Sequence, residues 1–210
     1  MVRLSIAAVL AGAMLVLAAP VLAQKGGSGP APQSGPAVQG TPLQTVSALP
    51  DDVFGFRRAG TPTDFEQRSP GLGASVEYRA RLGTANAVAT VYVYTAGQSG
   101  LPEGPDSPAV QAQMQNMGRE VDAVARQRGN TLLGEGSGPA IIGRTGRPAL
   151  RCAQYMIRAA NGGQVDSYGC VGVVGGRFVK IRLSSGNPSA QVNQAALNAF
   201  GRGIVMALGG

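Results

Sequence analysis

Residues 147–185 read RPALRCAQYMIRAANGGQVDSYGCVGVVGGRFVKIRLSS, three consecutive strand-like runs joined by two glycine turns, with both cysteines of the chain inside them. Ala160-Asn161-Gly162 suits a three-residue hairpin loop in which Gly162 takes the left-handed conformation, because glycine enters positive φ without a Cβ penalty. That loop pairs Ala159 with Gly163, and counting outward places Cys152 opposite Cys170. A two-residue Asn161-Gly162 turn would slip the register by one and send the two sulfurs to opposite faces. Facing cysteines on adjacent antiparallel strands lie about 5.5 Å apart at Cα, within reach of a disulfide. Covalent chemistry and turn chemistry therefore favour the same register. The second turn, Gly175-Gly176, is a two-residue hairpin signal that pairs Cys170 with Ile181 and Tyr168 with Leu183. One face then carries Tyr168, Cys170, Val174, Val179, Ile181 and Leu183, the composition of a core.

The start of the chain supplies the redox context. Residues 1–23 combine a basic start at Arg3, the apolar run IAAVLAGAMLVLAA and a small-residue site ending in Ala23, the three parts of a secretory signal, with cleavage expected after Ala23. The run is shorter than the roughly 20 residues a spanning helix requires, and no basic stop-transfer cluster follows it. No membrane span is expected after signal cleavage, and the expected location is periplasmic or secreted. In such a compartment Cys152 and Cys170 are expected to form one disulfide. Closing that loop is worth roughly 3 kcal/mol in the chain-entropy model.

Residues 24–48 are rich in Gly, Pro, Ser and Gln and read as a disordered tether. Residues 49–210 have the length of one domain. Within it, 74–82 alternates Val76, Tyr78, Ala80 and Leu82 against Glu77, Arg79 and Arg81, and 88–94 continues as VATVYVY, which together predict a hairpin. Ser107 as N-cap and Pro108 at the first helical position predict a helix that stops at Gly129. Its apolar stripe is Val110, Met114, Met117, Val121 and Val124. A C-terminal helix from Pro188 or Ser189 is expected to pack through Val192, Ala196, Leu197, Phe200, Ile204 and Leu208, with Gly201 and Gly203 allowing close approach to a sheet. The predicted fold is α+β: an antiparallel sheet built from hairpins, flanked by a long central helix and a C-terminal helix.

The residues present narrow the chemistry. The chain has no histidine, so the commonest general base, metal ligand and pH switch is missing. A Ser-Lys dyad could draw only on Lys25 or Lys180, neither in a recognisable motif. Asp51, Asp52, Asp64, Glu66 and Asp166 show no spacing that pairs them. No GxGxxG or GxxxxGK[ST] pattern follows a strand, and no cofactor is expected. The formal charge is +7, or +6 once a signal carrying Arg3 is removed, but without a basic run or many aromatics nucleic acid is not an expected partner. One cluster stands out: Arg144 and Arg147 in a glycine loop, followed by Arg151, three guanidinium groups that could hold an anion weakly.

From Leu49-Pro50 onward the order of elements, a short strand, a hairpin rich in Val and Tyr, a long helix, a GGRFVKIRL strand and a C-terminal helix, resembles the PsbP-like fold, including the DcrB-like envelope proteins. The resemblance implies an antiparallel sheet flanked by helices and a non-enzymatic accessory or binding role. It carries over no catalytic residue. The expectation is therefore an exported, non-catalytic binding or accessory protein of the envelope, with an unknown envelope partner or an anionic ligand. The alternatives are a carboxylate-dependent hydrolase and a structural, cell-wall-associated protein.

Overall fold

A computed structural model describes residues 40–210. The expected signal at 1–23 and most of the expected tether lie outside the described residues. In chain order the elements are α1 (Pro42–Ser47), β1 (Asp52–Val53), β2 (Phe56–Arg58), β3 (Thr63–Asp64), β4 (Ala74–Leu82), β5 (Ala85–Tyr94), α2 (Pro108–Gln127), β6 (Thr131–Ser137), β7 (Ile141–Ile142), β8 (Pro148–Arg158), β9 (Gln164–Val174), β10 (Arg177–Ser185) and α3 (Ala190–Ala207). The arrangement is α+β, as the sequence predicts.

The strands pair antiparallel in the order β1-β2-β4-β5-β10-β9-β8-β6, with β3 on β4 and β7 on β8. The register of the β8-β9-β10 meander is the one the turns dictate: Cys152 faces Cys170, Cys170 faces Ile181 and Tyr168 faces Leu183. Ala159 N–H donates to Gly163 C=O at 2.7 Å, and Gly162 has φ +84°. Gly175 and Gly176 both have positive φ, the backbone a two-residue turn of matching twist demands. Cys152 and Cys170 are bonded, with Cα atoms 3.9 Å apart, closer than the separation expected from strand spacing alone. The seam between this meander and the N-terminal hairpin is β5–β10, where Val91 lies beside Ile181.

Each face of the sheet buries a different helical cover. On one face Tyr78, Val91, Cys170, Ile181 and Leu183 pack under α1 and α3 around Phe56 and Phe200, whose ring centroids are 4.8 Å apart. On the other, Tyr155, Val171, Val173 and Phe178 pack under α2 through Val110, Met117 and Val121. The fourth buried position of α2 is Ala125, whereas Val124 is 39% exposed. From Val121 the period of about 3.6 residues falls between positions 124 and 125, and the helix buries the second. Helix α2 closes on a glycine in β9: a Cβ on Gly169 would stand 2.3 Å from Met117 Sδ.

Two further expectations need correction. The last part of the 24–48 segment is ordered: Thr41 caps α1, its hydroxyl accepting from Gln44 N–H at 3.2 Å while Gln44 Oε1 accepts from Thr41 N–H at 2.7 Å. Val46 is fully buried, so the domain begins before Leu49. In α3 the core position is Asn193 rather than Val192, which is 41% exposed. Asn193 tolerates burial because its Nδ2 donates to Asp166 Oδ2 at 3.1 Å and to Asn187 C=O at 2.9 Å. Gly203 and Gly201 do serve close approach, with virtual Cβ atoms 2.5 Å from Val53 Cγ1 and 3.0 Å from Ile141 Cδ1.

Candidate functional site

A cleft of about 900 Å³ opens where the β9–β10 turn meets the ends of α1 and α3. Its floor is Val173, Val174 and Gly175. Glu103 fixes that turn: its carboxylate accepts from Gly176 N–H at 2.7 Å and from Gly175 N–H at 3.2 Å. The neighbouring Gly104 exchanges two backbone hydrogen bonds with Val173, at 2.9 and 3.0 Å. One wall is α1, tied to β10 by Arg177, whose guanidinium donates to Thr45 Oγ1 at 2.8 Å and to Gly40 C=O. The opposite wall joins residues 207–210 to the loop carrying Gly143, Thr145, Arg147, Pro148 and Ala149.

Only two charged side chains belong to this lining, Glu103 and Arg147. Glu103 already holds two N–H groups. Among the described residues the exposed Arg147 side chain has no hydrogen bond or ion pair, so its guanidinium is the unpaired charge of a cleft whose remaining lining is mainly apolar side chains and glycine backbone with Gln44, Thr45 and Thr145. The volume lies within the size range of small-molecule clefts.

The three arginines singled out from sequence do not share a partner. Arg144 Nη2 donates to Met206 C=O at 3.3 Å, closing the last turn of α3, where a cation is favoured by the helix dipole. Arg147 lines the cleft just described. Arg151 projects from the opposite face of β8, 3.6 Å from Asp106. Strand alternation separates it from the Cys152 face. Arg151 lines a second cleft of about 690 Å³ together with Asp106, Met114, Glu135, Ser137 and Cys152. Two carboxylates thus border one cleft, but Asp106 is committed to Arg151 and its side chain is 80% exposed.

Lys180 forms a third polar feature. It is 7% exposed, its Nζ donates to Glu120 Oε2 at 3.2 Å, and it lies 4.9 Å from the Tyr92 ring centroid and 5.7 Å from that of Tyr94. Burial lowers its pKa below 10.5, opposed by the Glu120 charge and hydrogen bond. The sequence offered Lys180 as half of a Ser-Lys dyad, yet its hydrogen-bond partner among the described residues is a carboxylate. Nearby, burial pushes the Tyr155 phenol up to about 12, with Glu135 adding to the rise. This cluster anchors α2 to the sheet.

Glu103 and Arg177 escape sequence reading because each works on a segment remote in the chain, Glu103 on residues 175–176 and Arg177 on 40–45. Among the described residues no group of three or more His, Cys, Asp or Glu side chains could hold a metal ion, and no helix is long and apolar enough to cross a membrane. Comparison of the chain with family models, with curated proteins and with solved structures yields no match.

Proposed function

We propose that the protein is an exported binding or accessory protein of the cell envelope that takes, in the cleft between α1, the β9–β10 turn and the end of α3, a ligand with an apolar body and one acidic group. The observation that carries this reading is Arg147, the unengaged guanidinium on a mainly apolar lining. A carboxylate or phosphate oxygen on the ligand would meet it in the bidentate manner guanidinium favours. Nothing in the lining supplies a nucleophile beside a base: Glu103 is occupied by the turn it supports, and Thr145 stands beside no imidazole, the chain having none. The order of elements and the antiparallel sheet support the PsbP-like reading of the fold, and an accessory role accords with it.

The carboxylate-dependent hydrolase has one observation in its favour, the pairing of Asp106 and Glu135 on the second cleft. A general acid of that kind needs a carboxyl held in dry, apolar surroundings. Asp106 is exposed and salt-bridged, and Glu135 is exposed as well, so binding is the better-supported reading.

The test is native mass spectrometry of the protein recovered from its host, beside variants Ala48→Trp, which fills the cleft from the exposed end of α1, and Arg147→Ser. Wild type is expected to retain a small anionic molecule that both variants lose while keeping the melting temperature of ligand-free wild type. Retention of the same molecule by both variants would move the site elsewhere, and a ligand-free wild type that no envelope carboxylate or phosphate stabilises would refute the reading.

A further inference from the structure

Phe54 sits at the tip of the β1–β2 hairpin with its side chain 70% exposed and φ +51°. Both features carry a cost, since a bulky side chain in the left-handed region is strained and an exposed ring gains nothing from burial. The following residue, Gly55, could occupy such a turn without strain. The ring is nevertheless seated by design of its neighbour: a Cβ on Gly203 of α3 would lie 3.2 and 3.3 Å from two atoms of the Phe54 ring.

The outer side of α3 continues this apolar surface. Val192, Ala195, Ala199, Arg202 and Met206 recur at spacings of three and four, one stripe about 21 Å long at 1.5 Å per residue. Val192 is 41% and Met206 40% exposed. A solvent-facing helix stripe ordinarily carries charges of both signs, but Arg202 is the only charged residue in α3, and it holds no acid. Arg144 adds a second guanidinium at the Met206 carbonyl. The carboxylates nearest Phe54 in the chain are both engaged, Asp51 with Arg58 at 2.9 Å and Asp52 with Arg57 at 3.6 Å.

An aromatic tip, an apolar helix stripe and unopposed arginines are the pattern of a face that lies in the headgroup region of an anionic bilayer. From this we propose that α3 and Phe54 form a docking surface for an anionic lipid membrane, on which the domain rests without spanning it. A second copy of the chain is a poorer occupant. It would set Arg202 and Arg144 against their own like charges, and three large apolar side chains fall well short of the roughly 20 residues a side that a stable protein interface engages. The proposal goes beyond the ligand cleft, which lies on other residues.

The experiment uses the chain from Gln24 onward, the form expected after export, co-sedimented with vesicles of equal parts phosphatidylglycerol and phosphatidylcholine or of phosphatidylcholine alone, at low and high salt. Wild type is expected to bind the anionic vesicles preferentially and to be released by salt. Phe54→Gly combined with Met206→Ser should bind about tenfold more weakly, with the fold intact because glycine relieves the strain at position 54. Arg202→Gln should reduce the preference for anionic vesicles, and Ala48→Trp should bind as wild type does. No binding by wild type, or binding indifferent to the Phe54/Met206 pair, would overturn the proposal. So would loss of binding in Ala48→Trp, which would place the lipid in the cleft, or a wild-type dimer that the Phe54/Met206 variant dissociates in the absence of vesicle binding.

Discussion

Replacing Glu120 by Gln isolates the energetic role of the buried lysine. Lys180 and Glu120 are 3.2 Å apart, with side chains 9% and 31% exposed. At an effective dielectric near 20 their Coulomb attraction is about 5 kcal/mol, an upper figure because Glu120 keeps part of its contact with water. Breaking a buried pair by removing one partner costs about 3–5 kcal/mol. The faces of Tyr92 and Tyr94 continue to hold the ammonium, so the expected loss for Glu120→Gln is about 2–3 kcal/mol at neutral pH. Lys180→Met removes the buried charge and conserves volume, leaving Glu120 a route to solvent; its expected cost is under about 1 kcal/mol. The double variant should match Lys180→Met. The sign of the pH response follows from linkage. The folded state of Glu120→Gln binds a proton at Lys180 less readily than the unfolded chain, so its stability rises as pH climbs from the lowered folded pKa toward 10.5. Urea unfolding of the four proteins at neutral pH and again just below pH 10 measures all of this. If Glu120→Gln unfolds within 0.5 kcal/mol of wild type, by a margin of about the usual surface substitution, or if Lys180→Met is the costlier change, the account of this pair is wrong.

Three other perturbations address different parts of the fold. Gly172→Ala would thrust a Cβ to 2.0 Å from Ala149 C=O, a backbone atom, and is expected to cost more than about 3 kcal/mol; Gly169→Ala meets only the flexible end of Met117, at 2.3 Å from Sδ, and should cost about 1 kcal/mol. Equal effects in chemical denaturation would contradict this reading of β9. Cys152→Ala with Cys170→Ala, or reduction of the wild type, should lower stability by about 3 kcal/mol for a separation of 18 residues, and insensitivity of the melting temperature to reductant would show the bridge to be dispensable. All five tyrosines have pKa values raised from 10.0 chiefly by burial. Because the folded state holds those protons more tightly, stability should fall as pH rises above 10, and tyrosinate absorbance should appear together with loss of circular dichroism; phenolate signal near pH 10 from a protein still folded would disprove it.

The sheet was legible where local turn chemistry and covalent chemistry spoke to the same register. Gly162, Gly175 and Gly176 set the pairing of β8, β9 and β10, and Cys152–Cys170 agrees with it. Helix α2 was legible from Ser107 and Pro108, and its one misplaced core position, Ala125 in place of Val124, falls where spacings of three and four both approximate a turn of about 3.6 residues. Helix α1 carried its own signal, Thr41 and Gln44 three residues apart with Pro42 at the first helical position, but six residues amid Gly and Pro have too little propensity to announce a helix. Its stability is tertiary, through Val46 and the reach of Arg177. The arginine cluster failed as a set for a plain reason: Arg151 leaves β8 on the face away from Cys152, whereas Arg144 and Arg147 belong to the loop before the strand, whose side-chain directions are set by tertiary contacts. What survives of it, Arg147 in the cleft, depends on α1 and residues 207–210, which no local reading could bring together.

The pairing of β5 with β10 has a kinetic meaning. Every other long pairing in the sheet but β6–β8 joins strands next to each other along the chain, so each can close across a short turn. Setting Val91 beside Ile181 closes a loop of about 90 residues, an entropy cost of about 3 kcal/mol beyond that of forming a hairpin's first contact. The two hairpin systems can therefore form before the seam does. Until it closes, β5 presents a Val- and Tyr-rich strand with its outer hydrogen-bonding edge unpaired, the kind of edge that recruits other chains. Aggregation during refolding should then originate at residues 88–94, and a substitution there that spares the native seam, a charge at the exposed Val88 for instance, would raise the yield of folded protein without altering its equilibrium stability.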